Sequence, residues 1–369
     1  MIFKKLSALV FSVPLQKFFV VKRISLLLIA SFIAFSSIAE KKNYHVTTVA
    51  FYNFENFFDA DDDPKNWGDD EFTPNGPYHY TEEIFQQKAH NIATVLQQLG
   101  TELNPEGPAL IGTAEIENDH VLDVLVSQPE IKARNYKYVH FESPDSRGID
   151  VALLYNPKYF TVLNAEALYT DISTTGEKGG KTRDVLHVAG VLAGDTVHVF
   201  VNHWPSRRGG EAASAPLRAI AANVSKKLID SMMAANPATR VILMGDLNDD
   251  PISPSVAKVL GAKGDKDKVD QTGLFNPFVN FYKQGIGTLA YNNAWNLFDQ
   301  IMISGEWLKQ PDEHWRYYKA EVFNREFLKN KFGQYKGSPH RSFDGNNWIN
   351  GYSDHFPTII YFIRATQNP

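Results

Sequence analysis

Val241-Ile242-Leu243-Met244-Gly245-Asp246-Leu247-Asn248-Asp249-Asp250-Pro251 is the stretch on which the reading of the chain turns. Four apolar residues run unbroken into a glycine, and polar groups follow at once. A short apolar run bounded by turn residues predicts a buried strand. Gly245 lets the chain turn sharply where that strand ends. Asp246 and Asn248 are two residues apart, so an extended backbone directs both to the same side of the sheet. A carboxylate and an amide leaving a buried strand together make a small oxygen-rich site. Such oxygens suit a hard divalent cation, or a water oriented beside one. The same residues also make an ordinary strand-end turn, since Gly, Asp and Asn are all turn formers.

Working outward, other apolar runs end in the same way. Upstream, residues 212–235 predict a helix with Leu217, Ile220, Val224, Leu228 and Ile229 on one side. Thr182–Ala193 and Thr196–Asn202 predict a hairpin joined by Gly194-Asp195, and its second strand runs into His203-Trp204-Pro205-Ser206-Arg207-Arg208. Ala109–Ala114 is a further buried strand, and Glu115 is the first acidic group after it. His45–Tyr52 predicts a strand ending at Asn53. Between these two, Thr81 with Glu82 and Glu83 opens a helix that Gly100 closes. A short helix over Asp119–Val126 and strands over Tyr136–Phe141 and Gly148–Tyr155 follow. Downstream, a short helix is expected after Pro251, then a strand over Leu297–Ile303 that carries Asp299. A loop-rich stretch reaches Asn350, and a last strand over Gly351–Phe362 carries Asp354-His355. No internal repeat is visible, and no linker is long enough to divide domains.

At 369 residues the chain has room for one large domain or two ordinary ones. Residues 1–23 carry Lys4, Lys5, Lys17, Lys22 and Arg23 and no acidic group; an apolar run from Ile24 to Phe35 and the small residues Ser37-Ile38-Ala39 follow. That is the pattern of a secretory signal peptide over 1–39, and it implies a secreted or periplasmic protein. The apolar run is about 12 residues long, short of the ~20 that a spanning helix needs. No membrane span is therefore expected after cleavage. The chain has no cysteine, which excludes disulfides, thiolate chemistry and a lipoprotein anchor. Its net charge is −5, and removing the signal strips only positive groups. A polyanionic substrate must then be held by local basic groups and metal rather than by a global field. An acidic loop, Asp59 to Glu71, crowds Asp61, Asp62, Asp63, Asp69 and Asp70 together; it reads as a solvated loop, or as a weak structural Ca²⁺ site.

The strand-end groups have an internal logic. Glu115 is a hard anionic ligand for Mg²⁺ or Mn²⁺. His203 and His355 exchange protons near neutral pH, and a carboxylate can orient each. Arg183 and the pair Arg207-Arg208 offer bidentate grips on phosphate oxygens. A lone histidine near a strand end is usually just a hydrogen-bonded residue of the fold, but this combination points to phosphoester hydrolysis. No Gly-rich phosphate loop or nucleophile elbow is present, so water is the expected nucleophile.

In these residues the sequence resembles the endonuclease/exonuclease/phosphatase superfamily, whose fold is that of pancreatic deoxyribonuclease, over residues 43–365. The resemblance implies an α/β fold: a four-layer sandwich of two packed mixed β-sheets flanked by helices. It implies metal ligation by Asn53, Glu115 and Asp354. It also implies a catalytic set of His203, Asp246, Asn248, Asp299 and His355, with Asp299 orienting His355 and Asp246 and Asn248 positioning water and phosphate. Arg183 lies where some members of the superfamily keep a phosphate-contacting arginine, while Arg207 and Arg208 are expected to contact substrate phosphates on the residues alone. We expect His355 to act as the base-like and His203 as the acid-like group. The leading function is a secreted, metal-dependent nuclease on extracellular DNA or RNA, with nucleic acid as partner and no stable protein partner implied. The alternatives are a phosphodiesterase or phosphatase on a lipid or small phosphoester, such as sphingomyelin or an inositol phosphate, and a binding module that has lost the chemistry.

Overall fold

Strand β8 (Arg240–Asp246) is buried on both faces, which is why its sequence is apolar without alternation. Ile242 and Met244 point into the larger core, between two sheets, while Val241 and Leu243 pack with Ala221, Ala222, Ile229 and Met233 of a covering helix. The structure, a computed structural model, describes residues 43–173, 180–291 and 294–366. The signal-peptide expectation for 1–39 falls outside them.

The strands run in chain order β1 (Tyr44–Phe57), β2 (Leu110–Ile116), β3 (Lys137–His140), β4 (Asp150–Tyr155), β5 (Phe160–Leu168), β6 (Val185–Leu192) and β7 (Asp195–His203); after β8 come β9 (Leu274–Phe275), β10 (Leu289–Tyr291), β11 (Ala294–Asn296), β12 (Asp299–Ser304), β13 (Arg316–Val322), β14 (Phe343–Asp344), β15 (Asn347–Trp348) and β16 (Thr358–Ala365). The helices are α1 (Glu82–Gln98), α2 (Asp119–Val126), α3 (Pro129–Lys132), α4 (Glu211–Ala235) and α5 (Phe278–Lys283). Two six-stranded sheets result, in the orders β13-β16-β1-β2-β4-β3 and β5-β6-β7-β8-β12-β9. Both are mixed: β1 pairs with β2, and β7 with β8, in parallel, while the other neighbours are antiparallel. The sheets pack face to face, with β1 against β8 and β12, and β4 against β6 and β7. Helices α1 to α3 cover the first sheet and α4 the second. This is the four-layer α/β sandwich that the resemblance implies.

The two sheets come into close contact where Gly112 of β2 meets Met244 of β8. A Cβ on Gly112 would lie 2.3 Å from the Met244 sulfur, so the approach depends on the missing side chain. Truncating a buried side chain such as Met244 to alanine typically costs about 2–5 kcal/mol. Helix α1 starts as expected: the Thr81 hydroxyl accepts from the Ile84 N–H and caps it. Among the described residues no helix is long and apolar enough to cross a membrane.

Besides the short elements α3, β9, α5 and the hairpins β10–β11 and β14–β15, which the sequence reading left as loop, several larger features differ from it. Strands β5 and β13 were not anticipated; each is the edge of its sheet, half exposed, so neither shows a buried run. The segment expected to open the last strand, 351–357, is irregular; pairing begins at Thr358, and Asp354 and His355 sit on the approach to it. A short π-helical turn, Ser255–Val259, stands where a helix was expected after Pro251.

Candidate active site

Strand register brings three of the anticipated groups onto one rung. His203 pairs with Asp246 across β7 and β8, and Asp246 pairs with Asp299 across β8 and β12. On the facing sheet, β1 and β2 carry Asn53 opposite Ala114, one residue before Glu115. Both sheets therefore deliver their polar strand ends to the same edge of the sandwich, where a rigid scaffold can aim them.

Asp246 is the centre of the cluster and is buried. Its Oδ2 accepts from the Asn53 amide at 3.0 Å and lies 3.7 Å from His203 Nε2 and 3.8 Å from His355 Nε2. Its Oδ1 accepts the Asn248 N–H at 3.0 Å. Burial, with Asp299 alongside, pushes the Asp246 carboxyl up to about 7, against the pull of His355. His355 Nδ1 donates to Asp299 Oδ2 at 2.7 Å, so its Nε2 is the nitrogen left facing Asp246. Burial opposes charge on this ring, but the carboxylates of Asp299 and Asp246 outweigh it and hold His355 well above the usual histidine range. His203 goes the other way: burial, with Arg183 nearby, holds it well below that range. The two rings are thus biased in opposite directions, a proton being favoured on His355 and disfavoured on His203. The difference follows from Asp299 standing behind one ring only.

Glu115 is held in a left-handed backbone conformation, φ +61°, which is uncommon for a residue with a side chain. Its Oε2 accepts the Asn56 N–H at 2.9 Å, and its Oε1 is 3.8 Å from His203 Nε2. Burial would raise its proton affinity, but Arg147, His203 and His355 override that and lower it to about 2. Asp354 lies 3.8 Å from His355 Nε2 and 3.4 Å from Arg341 Nη2.

Several expected site residues are placed differently. The backbone at Asn248 is not extended: φ is +47°, and its amide donates to the Trp204 carbonyl at 2.9 Å. Asn248 therefore meets Asp246 through its N–H, not as a second side chain on the same face. Asn53, expected as a ligand, uses its amide on Asp246, while its Oδ1 accepts from the Glu55 N–H at 2.8 Å. Arg183 is buried; it bonds the Trp204 carbonyl at 2.7 Å and the Asp145 carboxylate at 3.0 Å, which fixes it in place beside His203. Arg207 is spent on its neighbours: it pairs with Glu211, Asp249 and Asp250 at 3.1 to 3.4 Å and lies over the Phe298 ring. These contacts brace the turn, and Arg208 is the exposed arginine of the pair.

Sequence reasoning missed other residues at this edge. Arg147 bonds the Asn56 side chain and stands 3.6 Å from Glu115 Oε2, while half exposed. It comes from an irregular polar loop that has no periodicity to read. Glu55 is buried and accepts the Ser342 N–H at 2.7 Å; burial and Asp354 push it up to about 7. Lys88 of α1, also fully buried, donates to the Glu55 carbonyl and to Ser342, which ties the 341–342 segment to the end of β1. Glu117 accepts the Asp59 N–H at 2.8 Å and is pushed up to about 9 by burial and by Asp59. It anchors the acidic loop rather than the site.

The family comparison fits this architecture. The Endonuclease/Exonuclease/phosphatase family matches residues 48–364, and the chain belongs to it. The chain is accordingly a member of a family of phosphoester hydrolases. Among solved structures it is similar to an endonuclease/exonuclease/phosphatase family protein from Bacteroides thetaiotaomicron, at 14% identity and TM-score 0.52 over 88% of this chain and 100% of that one. It is also similar to a humanized D. rerio TDP2, at 12% identity and TM-score 0.51 over 86% and 98%. The human Nocturnin catalytic domain with bound sulfate aligns at 14% identity and TM-score 0.50 over 88% and 98%. At such identities the likeness is one of fold. The comparison with curated proteins found no match.

Proposed function

We propose that the chain is a divalent-metal-dependent phosphodiester hydrolase, a nuclease exported to the periplasm or beyond. The observation that carries the chemistry is the convergence of two imidazoles and an amide on one carboxylate, with His203 Nε2 and His355 Nε2 3.7 and 3.8 Å from Asp246 Oδ2. The donor set fits a hard cation. Glu115 is a carboxylate kept ionised at neutral pH, with Oε1 turned from the Asn56 N–H that holds Oε2. Glu115 and Asp354 would hold Mg²⁺ or Mn²⁺, with the remaining lone pair of Asn53 Oδ1 in support. Bound there, the ion would supply positive charge that polarises the phosphate and makes a water more acidic.

The chain's own residues do the rest. Asp246, with the Asn248 N–H fixing one of its oxygens, orients the water on the phosphorus. In this reading His203, on which a proton is disfavoured at rest, takes one from the water, and His355, where Asp299 favours the cation, faces the charge that develops on phosphate and leaving oxygen. Asn53 keeps Asp246 from turning, and Arg147 balances Glu115 until substrate arrives.

A structural Ca²⁺ in the acidic loop belongs to the same proposal. Asp62, Asp69 and Asp70 bring ligand atoms within 4.8 Å of one another. Asp69 is buried, and its Oδ1 has no hydrogen-bond partner among the described residues. Millimolar Ca²⁺ should then raise the Tm of the wild type and leave that of Asp69→Asn unchanged.

Export rests on residues 1–39, and mass analysis of the mature protein should find cleavage after Ala39. The substrate test is a panel of single-stranded DNA, RNA, sphingomyelin vesicles, an inositol phosphate and a generic phosphodiester, each with and without chelator. The proposal requires chelator-sensitive cleavage of nucleic acid. Cleavage confined to sphingomyelin or inositol phosphate replaces the nuclease by a lipid or small-phosphoester hydrolase, and no cleavage at all leaves a binding module.

A further inference from the structure

Three cavities adjoin along the edge that carries the candidate site, and exposed aromatic rings stand at their junctions. The first, about 720 Å³, lies between the Arg207-Arg208 turn and the β10–β11 hairpin and reaches Asn248. The second, about 520 Å³, shares Leu289 and Tyr291 of that hairpin with the first and is also lined by Arg341, Asp344 and Asp354. The third, about 440 Å³, is lined by Lys329, Lys331 and His340. Tyr291 borders the first two cavities, and Phe332 borders the second and third. These rings are 69% and 84% exposed, and Tyr335, 56% exposed, joins them in the middle cavity.

Single exposed aromatics need no explanation, but three bordering one continuous depression do. We propose that the depression is a track for unpaired nucleic acid, in which bases stack on Tyr291, Tyr335 and Phe332. This deepens the nuclease reading of the site and rests on it. The order of groups supports an extended polyanion: at one end Arg208 stands exposed beside the Arg207–Glu211 pair, in the middle Arg341 offsets Asp354 and Asp344, and lysines stand at the other end. Flat rings at intervals between basic groups bind any base through its π-face. A duplex keeps those faces covered, so the track selects single strands. A small phosphoester would need one cavity, not three in a row.

The test uses the full chain with Mg²⁺ and four substrates: a labelled single-stranded oligonucleotide, its duplex, an abasic strand of the same length, and a generic small phosphodiester. The wild type should prefer the base-bearing single strand to the duplex and to the abasic strand by about ten-fold or more in kcat/KM, mainly through KM. Tyr291→Ala and Phe332→Ala should each lower the ratio of oligonucleotide to small-diester kcat/KM by on the order of ten-fold. Tyr291→Phe should restore it, because the stacking face returns. Equal rates on abasic and base-bearing strands, or unchanged ratios in both alanine variants, overturn the track while the nuclease reading stands. Turnover of the small diester with none of the nucleic acids overturns both. The abasic comparison needs no variant, so a misfolded protein cannot obscure the answer.

Discussion

Alanine at His203 or at His355 is expected to lower kcat on a phosphodiester by ~10² to 10⁴, the usual range for acid–base groups. Replacing both should cost little more than the worse of the two, because groups acting as a unit give losses that do not add. The reason lies in the shared partner: both Nε2 atoms face Asp246 Oδ2, at 3.7 and 3.8 Å, so each ring works through the same carboxylate. Asp299→Asn tests the support behind one ring. It removes the charge that favours a proton on His355 and replaces the acceptor of the 2.7 Å bond to Nδ1. Its kcat should fall with little change in KM, since Asp299 is wholly buried and cannot reach substrate. The check is a double-mutant cycle on kcat with one substrate. Full activity in either single variant, or losses that multiply strictly, would remove the paired-histidine scheme.

The second large effect is expected at Glu115. Glutamine there keeps the shape but removes a carboxylate that the protein holds ionised, with a proton affinity lowered to about 2. The Mg²⁺ concentration for half-maximal activity should rise and the maximal rate should fall, and Mn²⁺ binding followed by electron paramagnetic resonance should weaken in parallel. Arg147 supplies the internal contrast. It stands 3.6 Å from Glu115, and its loss should leave the anion with less compensation, so Arg147→Ala should bind Mn²⁺ at least as tightly. Activity of Glu115→Gln equal to wild type at low millimolar Mg²⁺ would show that the metal is held elsewhere.

Much of this site was legible in the chain because its residues terminate buried strands. An apolar run such as 241–244 must end where the core ends, and the first polar groups after it lie at the sheet's edge. Asn53, Glu115, His203 and Asp246 were found in that way, and strand register then gathers them. What stayed hidden follows other physics. Edge strands β5 and β13 bury too little to leave an apolar signature. Asn248 was expected on an extended backbone, but a left-handed turn at φ +47° redirects its amide to Trp204. Arg207 reads as a phosphate grip in the sequence, which does not show that the fold brings the carboxylates of Asp249 and Asp250 to its guanidinium. Arg147 and Glu55 act across long sequence separations, through a loop and a buried lysine that no local pattern reveals.

The most direct measurement is the rate of hydrolysis of a generic phosphodiester by chelator-stripped protein as Mg²⁺ or Mn²⁺ is added back. A metal-dependent site built on Glu115, Asp246 and the two histidines predicts no turnover in the stripped protein and a saturable return with added ion. Undiminished turnover without metal, or none at any metal concentration on any phosphoester, would contradict it.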